Sequence, residues 1–244
     1  LHCTRIVSPV ARLYIAPIVQ WRCGMKTFLS IGSGPGIGIS TAERFAREGF
    51  RVVLTSRNPD KLVERAKQLT EKGYAVSTKA VDAADLQSVL QLVRDTEAEF
   101  GAIDVLHFNA ASMHAASIET QSIDTFVPDL TVNIGAALVA TQAVSKGMFE
   151  RGSGAILLTG GAFATQPHPD YLSLSIGKAG IRNLTYGIFD TFKKRGVHAA
   201  SVTVATLVSA DSPEARGVAQ AFWDLYAQPR ESWAPEVTYP TQTA

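Results

Sequence analysis

Cysteine is nearly missing from this 244-residue chain: the only two, Cys3 and Cys23, both precede Met25. The body of the chain therefore has no disulfide framework and no thiolate metal site, and a reducing cytoplasm is its natural compartment. An excess of one charge is missing too. With 23 basic and 22 acidic residues the formal net charge is +1, which argues against an electrostatic nucleic-acid or membrane surface. Internal repeats and low-complexity linkers are absent. What remains is 46% hydrophobic and 18% charged, enough apolar material for one α/β domain with an ample core and no reason to expect a second.

Residues 1–24 stand apart. They carry Arg5, Arg12 and Arg22, no acidic residue, and no apolar run long enough to cross a bilayer. A transit peptide, an extra ordered strand and sequence upstream of the true start are the three readings. The third is favoured, because "MKTFLSIGSG" from Met25 already reads as a first strand. Residues 25–244 then form the domain.

From Met25 onward strands and helices alternate. The apolar or β-branched runs 27–32, 51–56, 75–81, 105–110, 155–160 and 198–205 suit strands buried on both faces. Helical patterns fill the gaps, including an Ala-rich stretch from about 125 to 149 and two further helices at 171–194 and 213–227, with a short edge strand at the end. Asn58-Pro59-Asp60 is a helix start with Asn58 as cap. This βα alternation implies a doubly wound, mostly parallel sheet with helices on both faces.

"SIGSGPGIGIS", residues 30–40, joins the first strand to the first helix. Gly32, Gly36 and Gly38 fall where the turn is tight, where backbone approaches a pyrophosphate, and where helix packs on strand; Ser33, Gly34 and Ile37 complete the turn. The helix N-terminus would face phosphates. A dinucleotide site is therefore expected. At the end of the second strand, where NAD selection calls for an acid, the chain has Ser56 and Arg57. A hydroxyl and a guanidinium suit a 2′-phosphate, so NADP is expected over NAD.

These glycines resemble the TGxxxGIG turn of the short-chain dehydrogenase/reductase superfamily, and the resemblance runs from Met25 to about Tyr239. "VDAAD" resembles the family's adenine-side position, implying that Asp82 and Ala83 lie near the adenine. "IDVLHFNAAS" is similar to the motif DxLxNNAG, implying cofactor contacts for Asn109, Ala110 and Ala111. Asn133 in "TVNIGA" matches the asparagine of the family's catalytic tetrad, and Lys178 in "SIGKAG" its lysine, which would also hold the nicotinamide ribose. The resemblance implies a single-domain Rossmann fold and an NADP(H)-dependent oxidoreductase, and a homodimer or homotetramer through the helices at 125–149 and 171–194. Those helices are rich in small residues: Gly135, Ala136, Ala137, Ala140, Ala143, Gly177, Ala179 and Gly180.

The departures are chemical. Four residues before Lys178 stands Leu174 instead of tyrosine, and thirteen before that stands Gly161 instead of serine. Neither can move a proton or donate to an oxyanion. A second pattern exists in the superfamily: Tyr171 and Lys178, in "PDYLSLSIGK", have the Y-x6-K spacing of the enoyl-thioester reductases, and Phe163 stands near the place of their second tyrosine. Residues seven apart lie two turns apart on nearly one helix face. His168, between two prolines, is a further candidate acid, whereas Ser173 and Ser175 are out of phase with Lys178. After the last long strand, Ala205-Thr206 replaces the family's PG turn and the substrate lid is nearly absent. An open cleft favours a bulky or carrier-bound substrate over a small molecule gripped on all sides. Three activities stay in play: reduction of C=C or carbonyl through Tyr171 and Lys178, cofactor binding without hydride chemistry, and a nucleotide-dependent isomerase or dehydratase using His168 or loop acids. No metal site is expected.

Overall fold

The structure, a computed structural model, describes residues 24–241. The reading of residues 1–24, save Gly24, and both cysteines lie outside the described residues. Seven strands are β1 (Thr27–Ile31), β2 (Arg51–Ser56), β3 (Val76–Ala80), β4 (Ile103–Phe108), β5 (Gly154–Gly161), β6 (Val197–Val204) and β7 (Glu236–Tyr239). They form one sheet in the order β3-β2-β1-β4-β5-β6-β7 with every neighbouring pair parallel. All the strands thus end at one edge of the sheet. The order reverses between β1 and β4, which opens the crevice where ligands of such sheets bind.

Side chains of a strand alternate between its faces, and β1 shows the consequence. Phe28 joins the core on one face, with Phe45 and Phe222. Leu29 and Ile31 join the other, with Ala136, Val144 and Ile181. Helices α1 (Ile37–Arg47), α2 (Asp60–Glu71) and α7 (Pro213–Ala227) cover the first face. Helices α3 (Leu86–Phe100), α5 (Ala136–Arg151) and α6 (Leu172–Lys194) cover the second. At the start of α2 the N-cap position is Pro59 and not the expected Asn58; Asn58 Oδ1 still accepts from the Asp60 N–H at 3.0 Å, closing the turn that leads into the helix.

The stretch expected as one helix over 125–149 is three pieces: α4 (Ile123–Leu130), a π turn (Thr131–Gly135) and α5. Pro128 inside α4 has no N–H to donate. The widened turn behind it carries Asn133, a placement common where a π turn serves a site. The whole run Ile123–Arg151 is long and apolar enough to cross a bilayer by composition. Its Ala136, Ala137, Ala140, Val144 and Met148 are nevertheless built into the core against the sheet. β4 stops at Phe108, two residues short of the expected strand, which leaves Asn109 and Ala110 in the crevice. β7 is the expected edge strand, and only residues 205–212 separate β6 from α7.

Candidate active site

The glycine turn is built as its spacing implies. Gly32 has φ +89°, a region open chiefly to glycine, and a β-carbon there would stand 2.4 Å from the Ala110 nitrogen. At Gly38 a β-carbon would meet the Gly32 carbonyl oxygen at 2.6 Å; here α1 packs directly on the turn. Gly36 is the residue before the first helical turn, and Ile37 opens α1. Gly34 lies exposed at the tip. Ser33 faces inward: its Oγ donates to the Ser30 carbonyl and accepts from the Thr55 N–H, tying the turn to β2.

Around this turn lie the other residues expected on the nucleotide side. Asn109 knits three strand ends together, donating to the Gly32 carbonyl at 2.8 Å and accepting from the Thr159 hydroxyl at 3.0 Å. Ala110 packs beneath Gly32, and Ala111 is exposed beyond it. Asp82 closes a small turn through the Ala84 N–H and stays exposed, while Ala83 is buried in the core. Ser56 donates its hydroxyl to the Asn58 carbonyl at 2.6 Å. Arg57 is exposed, with no hydrogen bond or ion pair to any of the described residues. A turn that admits no side chain at Gly32, the first turn of α1 and an unengaged guanidinium together fit a dinucleotide.

At the far side of the crevice, α6 sets Gly177 against Asn133 and Lys178 against the end of β5. Lys178 Nζ donates to the Thr159 carbonyl of β5 at 2.8 Å. The residue keeps partial exposure, yet protein crowded around its ammonium lowers its pKa from 10.5 to about 8 through desolvation. A β-carbon on Gly161 would touch the Lys178 methylenes at 3.5 Å, ordinary contact. Asn133 is buried and doubly held: its Oδ1 accepts from the Ser112 N–H at 2.7 Å and its Nδ2 donates to the Ser112 carbonyl at 3.1 Å. Gly177 lets α6 approach this residue, since a β-carbon there would lie 2.4 Å from Asn133 Cβ. Gly180 likewise abuts Ile134, and Ala136, Ala137 and Ala140 are fully buried. Several of the small residues thus already serve packing within the chain.

Tyr171 sits at the start of α6 in an aromatic cluster, 6.1 Å from the Phe163 ring and 5.4 Å from His168 between centroids. Its hydroxyl has no hydrogen-bond partner among the described residues. His168 Nδ1 accepts from the Asp170 N–H, and Leu174 is buried. Ser175 Oγ donates to the Tyr171 carbonyl and accepts from the His168 N–H, and Ser173 turns inward to Asp129.

Asp129 is a site residue that the reading of motifs passed over. It is buried and accepts from Ser173 Oγ at 2.9 Å and from Ser112 Oγ, with His114 Nδ1 at 3.8 Å. This carboxylate fastens the loop after β4 to the head of α6 and so secures the segment that holds Asn133. A lone acid in the apolar window "FVPDLTVN", one helical turn before Asn133, was the available signal. His107, also buried, contacts Ser30 Oγ and Thr159 Oγ1 beneath Asn109. Desolvation lowers its pKa to about 3, so it is a neutral strut.

Residues 26–215 match the short chain dehydrogenase family. An oxidoreductase of Thermotoga maritima, itself uncharacterized, is 30% identical over 178 residues, 73% of this chain and 70% of the relative. Another, from Staphylococcus saprophyticus, is 31% identical over 77% of this chain and 82% of its own length. Gluconate 5-dehydrogenase of Gluconobacter oxydans is 29% identical over 69% and 66%. In fold, the chain is similar to a short-chain dehydrogenase from Rhodopseudomonas palustris (TM-score 0.81, 24% identity, 89% of this chain and 99% of that one). It is similar too to a metagenomic short-chain oxidoreductase solved with NADP (TM-score 0.80, 22% identity, 89% and 98%). The chain belongs to the short-chain dehydrogenase family and is an NAD(P)-dependent oxidoreductase of that type.

Proposed function

We propose that this protein uses NADP(H) to reduce an activated C=C or a carbonyl in a small-molecule or carrier-bound substrate, with Tyr171, Lys178 and Asn133 as its working groups. The observation that carries the reading is Lys178, held at the end of β5 beside Gly161 and backed by the immobilised Asn133. A bound nicotinamide supplies the hydride. Lys178 holds the ribose and, by its charge, favours an anion on the reacting oxygen. Asn133 keeps the π turn and Gly177 in register behind it. The Tyr171 hydroxyl has no competing partner within the described chain and can donate to the oxygen on which charge develops. Arg57, equally unengaged, pairs with the 2′-phosphate; an NADP complex of a fold neighbour is consistent with that choice. Catalysis then needs no serine at 161, because an enolate oxygen can be met by the tyrosine alone.

A second reading is cofactor binding without turnover. The buried Leu174 and the aromatic packing of Tyr171 favour it. NADPH consumption against a panel of enoyl-thioesters and ketones separates the two. Tyr171→Phe should lower turnover by roughly 10²–10⁴-fold with cofactor affinity intact. Arg57→Ala should weaken NADPH by about 1.5–3 kcal/mol and leave NADH nearly unchanged. Binding without consumption on any substrate would leave the second reading standing. As in the family at large, we place the protein in the cytoplasm, free of membrane and nucleic acid, as a homodimer or homotetramer through α4–α5 and α6. Light scattering at tens of micromolar tests the assembly, and a monomeric mass would remove it.

A further inference from the structure

The two walls of the crevice differ in charge. On the nucleotide side, α1, α2 and the turn before α2 carry Arg44, Arg47, Arg57, Lys61, Arg65 and Lys67. On the other side, the segments 109–135, 162–177 and 205–212, which leave β4, β5 and β6, have neither lysine nor arginine. They carry Glu119, Asp124, Asp129, Asp170 and Asp211 instead. Of these acids Asp211 alone pairs with a lysine or arginine among the described residues, Arg65 of α2 at 2.5 Å. Two histidines stand on the same segments, and each already faces an acid. His114 Nδ1 lies 3.8 Å from Asp129, and His168 Nδ1 lies 4.0 Å from Asp170. The first cation along α6 is Lys178, whose ammonium donates to the Thr159 carbonyl and, on the reading above, serves the nicotinamide ribose. This wall has no lysine or arginine left to answer a substrate carboxylate or phosphate.

What the wall offers is apolar. Its first two segments are joined through the backbone: the Ala116 N–H donates to the Asp170 carbonyl at 2.8 Å, and Ala116 forms a parallel bridge with Tyr171. On either side of Ala116 in sequence, Met113 and Ile118 are 73% and 84% exposed. At the same junction the rings of Phe163, His168 and Tyr171 lie together, Phe163 and Tyr171 stacked at 6.1 Å with 28° between their planes. All three rings are partly exposed. Aromatic faces open to solvent beside a proton donor can take a planar apolar group by offset stacking.

We propose that the substrate is an uncharged ketone or enone bearing an aromatic group, received by Phe163 and Tyr171, and that this wall rejects carboxylates and phosphates. The assignment rests on the reductase reading above and narrows its substrate. Rejection has two sources. An anion entering the crevice gives up hydration without finding a counter-charge, and the acids around it repel it.

NADPH consumption by the full chain tests this with three compounds: benzylideneacetone, its para-carboxylate, and mesityl oxide, an enone without a ring. The para-carboxylate should have a kcat/KM about tenfold or more below that of benzylideneacetone. Met113→Arg and Ile118→Arg each put a cation on this wall at an exposed position. Each should narrow that gap about two- to fivefold, and the gain should fade at high salt. Phe163→Ala should raise KM for benzylideneacetone about two- to tenfold relative to mesityl oxide. Saturation-transfer NMR with the oxidised cofactor present reads binding apart from turnover. Equal or better use of the para-carboxylate, or a gap that neither arginine narrows, overturns the substrate class and leaves the reductase reading intact. Benzylideneacetone binding ahead of its carboxylate with no NADPH consumed upholds the selection by charge and overturns the reductase reading. Binding of none of the three compounds overturns the assignment.

Discussion

Gly32 follows β1 and Gly161 closes β5, so both stand at the same edge of the sheet, on either side of the crevice. Gly32 has φ +89° and no space for a β-carbon. Gly161 lies in extended backbone, φ −170°, and the atoms nearest to a β-carbon there are Lys178 methylenes at ordinary distance. One glycine is imposed by backbone geometry; the other is not imposed by anything around it. The nucleotide side of the crevice is thus over-determined by packing, while the catalytic side keeps room for a group it does not use. A side chain as small as serine would fit at 161.

Substitution at the imposed glycine should have the largest effect. Gly32→Val drives a branched side chain into the Ala110 backbone at an unfavourable φ, and should destabilise the fold by about 3 kcal/mol or more and abolish NADPH binding. Urea unfolding and cofactor fluorescence measure the two, and a stable Gly32→Val protein that binds NADPH would erase the contrast. Asp129→Ala comes next. It leaves Ser112 Oγ and Ser173 Oγ without their acceptor and should cost about 1–3 kcal/mol. Asp129→Asn, which keeps an acceptor, should recover part of the loss. Equal losses in the two variants would mean that the hydrogen bonds contribute nothing.

The catalytic side responds to pH before it responds to sterics. Burial lowers the Lys178 pKa to about 8 from 10.5, so between those values the unfolded chain holds a proton that the folded chain has released. Stability contributed at this site therefore rises with pH across that window and carries its full penalty below pH 8. Lys178→Met should flatten the rise, measured by chemical denaturation at a series of pH values. An identical pH profile in parent and variant would show an ammonium no less solvated than in the unfolded chain. Gly161→Ser should have the smallest effect, within about 0.5 kcal/mol. A large destabilisation would show that β5 needs its glycine after all. Adding Leu174→Tyr tests whether the family's usual tetrad can be rebuilt, although Leu174 is buried and the larger ring should cost about 1–3 kcal/mol by overpacking.

The glycine turn, the strand ends, Asn133 and Lys178 were legible because their requirements are local. A tight βα turn needs glycine at set offsets, and a buried parallel strand needs an unbroken apolar run. Pro128 signalled trouble in the long helix, yet the π turn that resulted depends on how α6 packs through Gly177. Asp129 escaped notice because its partners, Ser112 and Ser173, lie 17 and 44 residues away. Hydrogen-bond pairing over such separations leaves no periodicity to read.

By itself, the sequence determined the doubly wound sheet and the glycine turn at its crevice, and it placed Gly161 and Leu174 ahead of Lys178. Each follows from residue type at short spacing, where steric and hydrogen-bonding demands act within a turn or a strand. Only the tertiary structure decided what surrounds those residues. It seated Tyr171 against Phe163 and His168, lowered the Lys178 pKa by enclosing it, and set Asp211 against Arg65, 146 residues away. Solvent exclusion and contacts between distant segments come into being when the elements pack, and no local pattern encodes them.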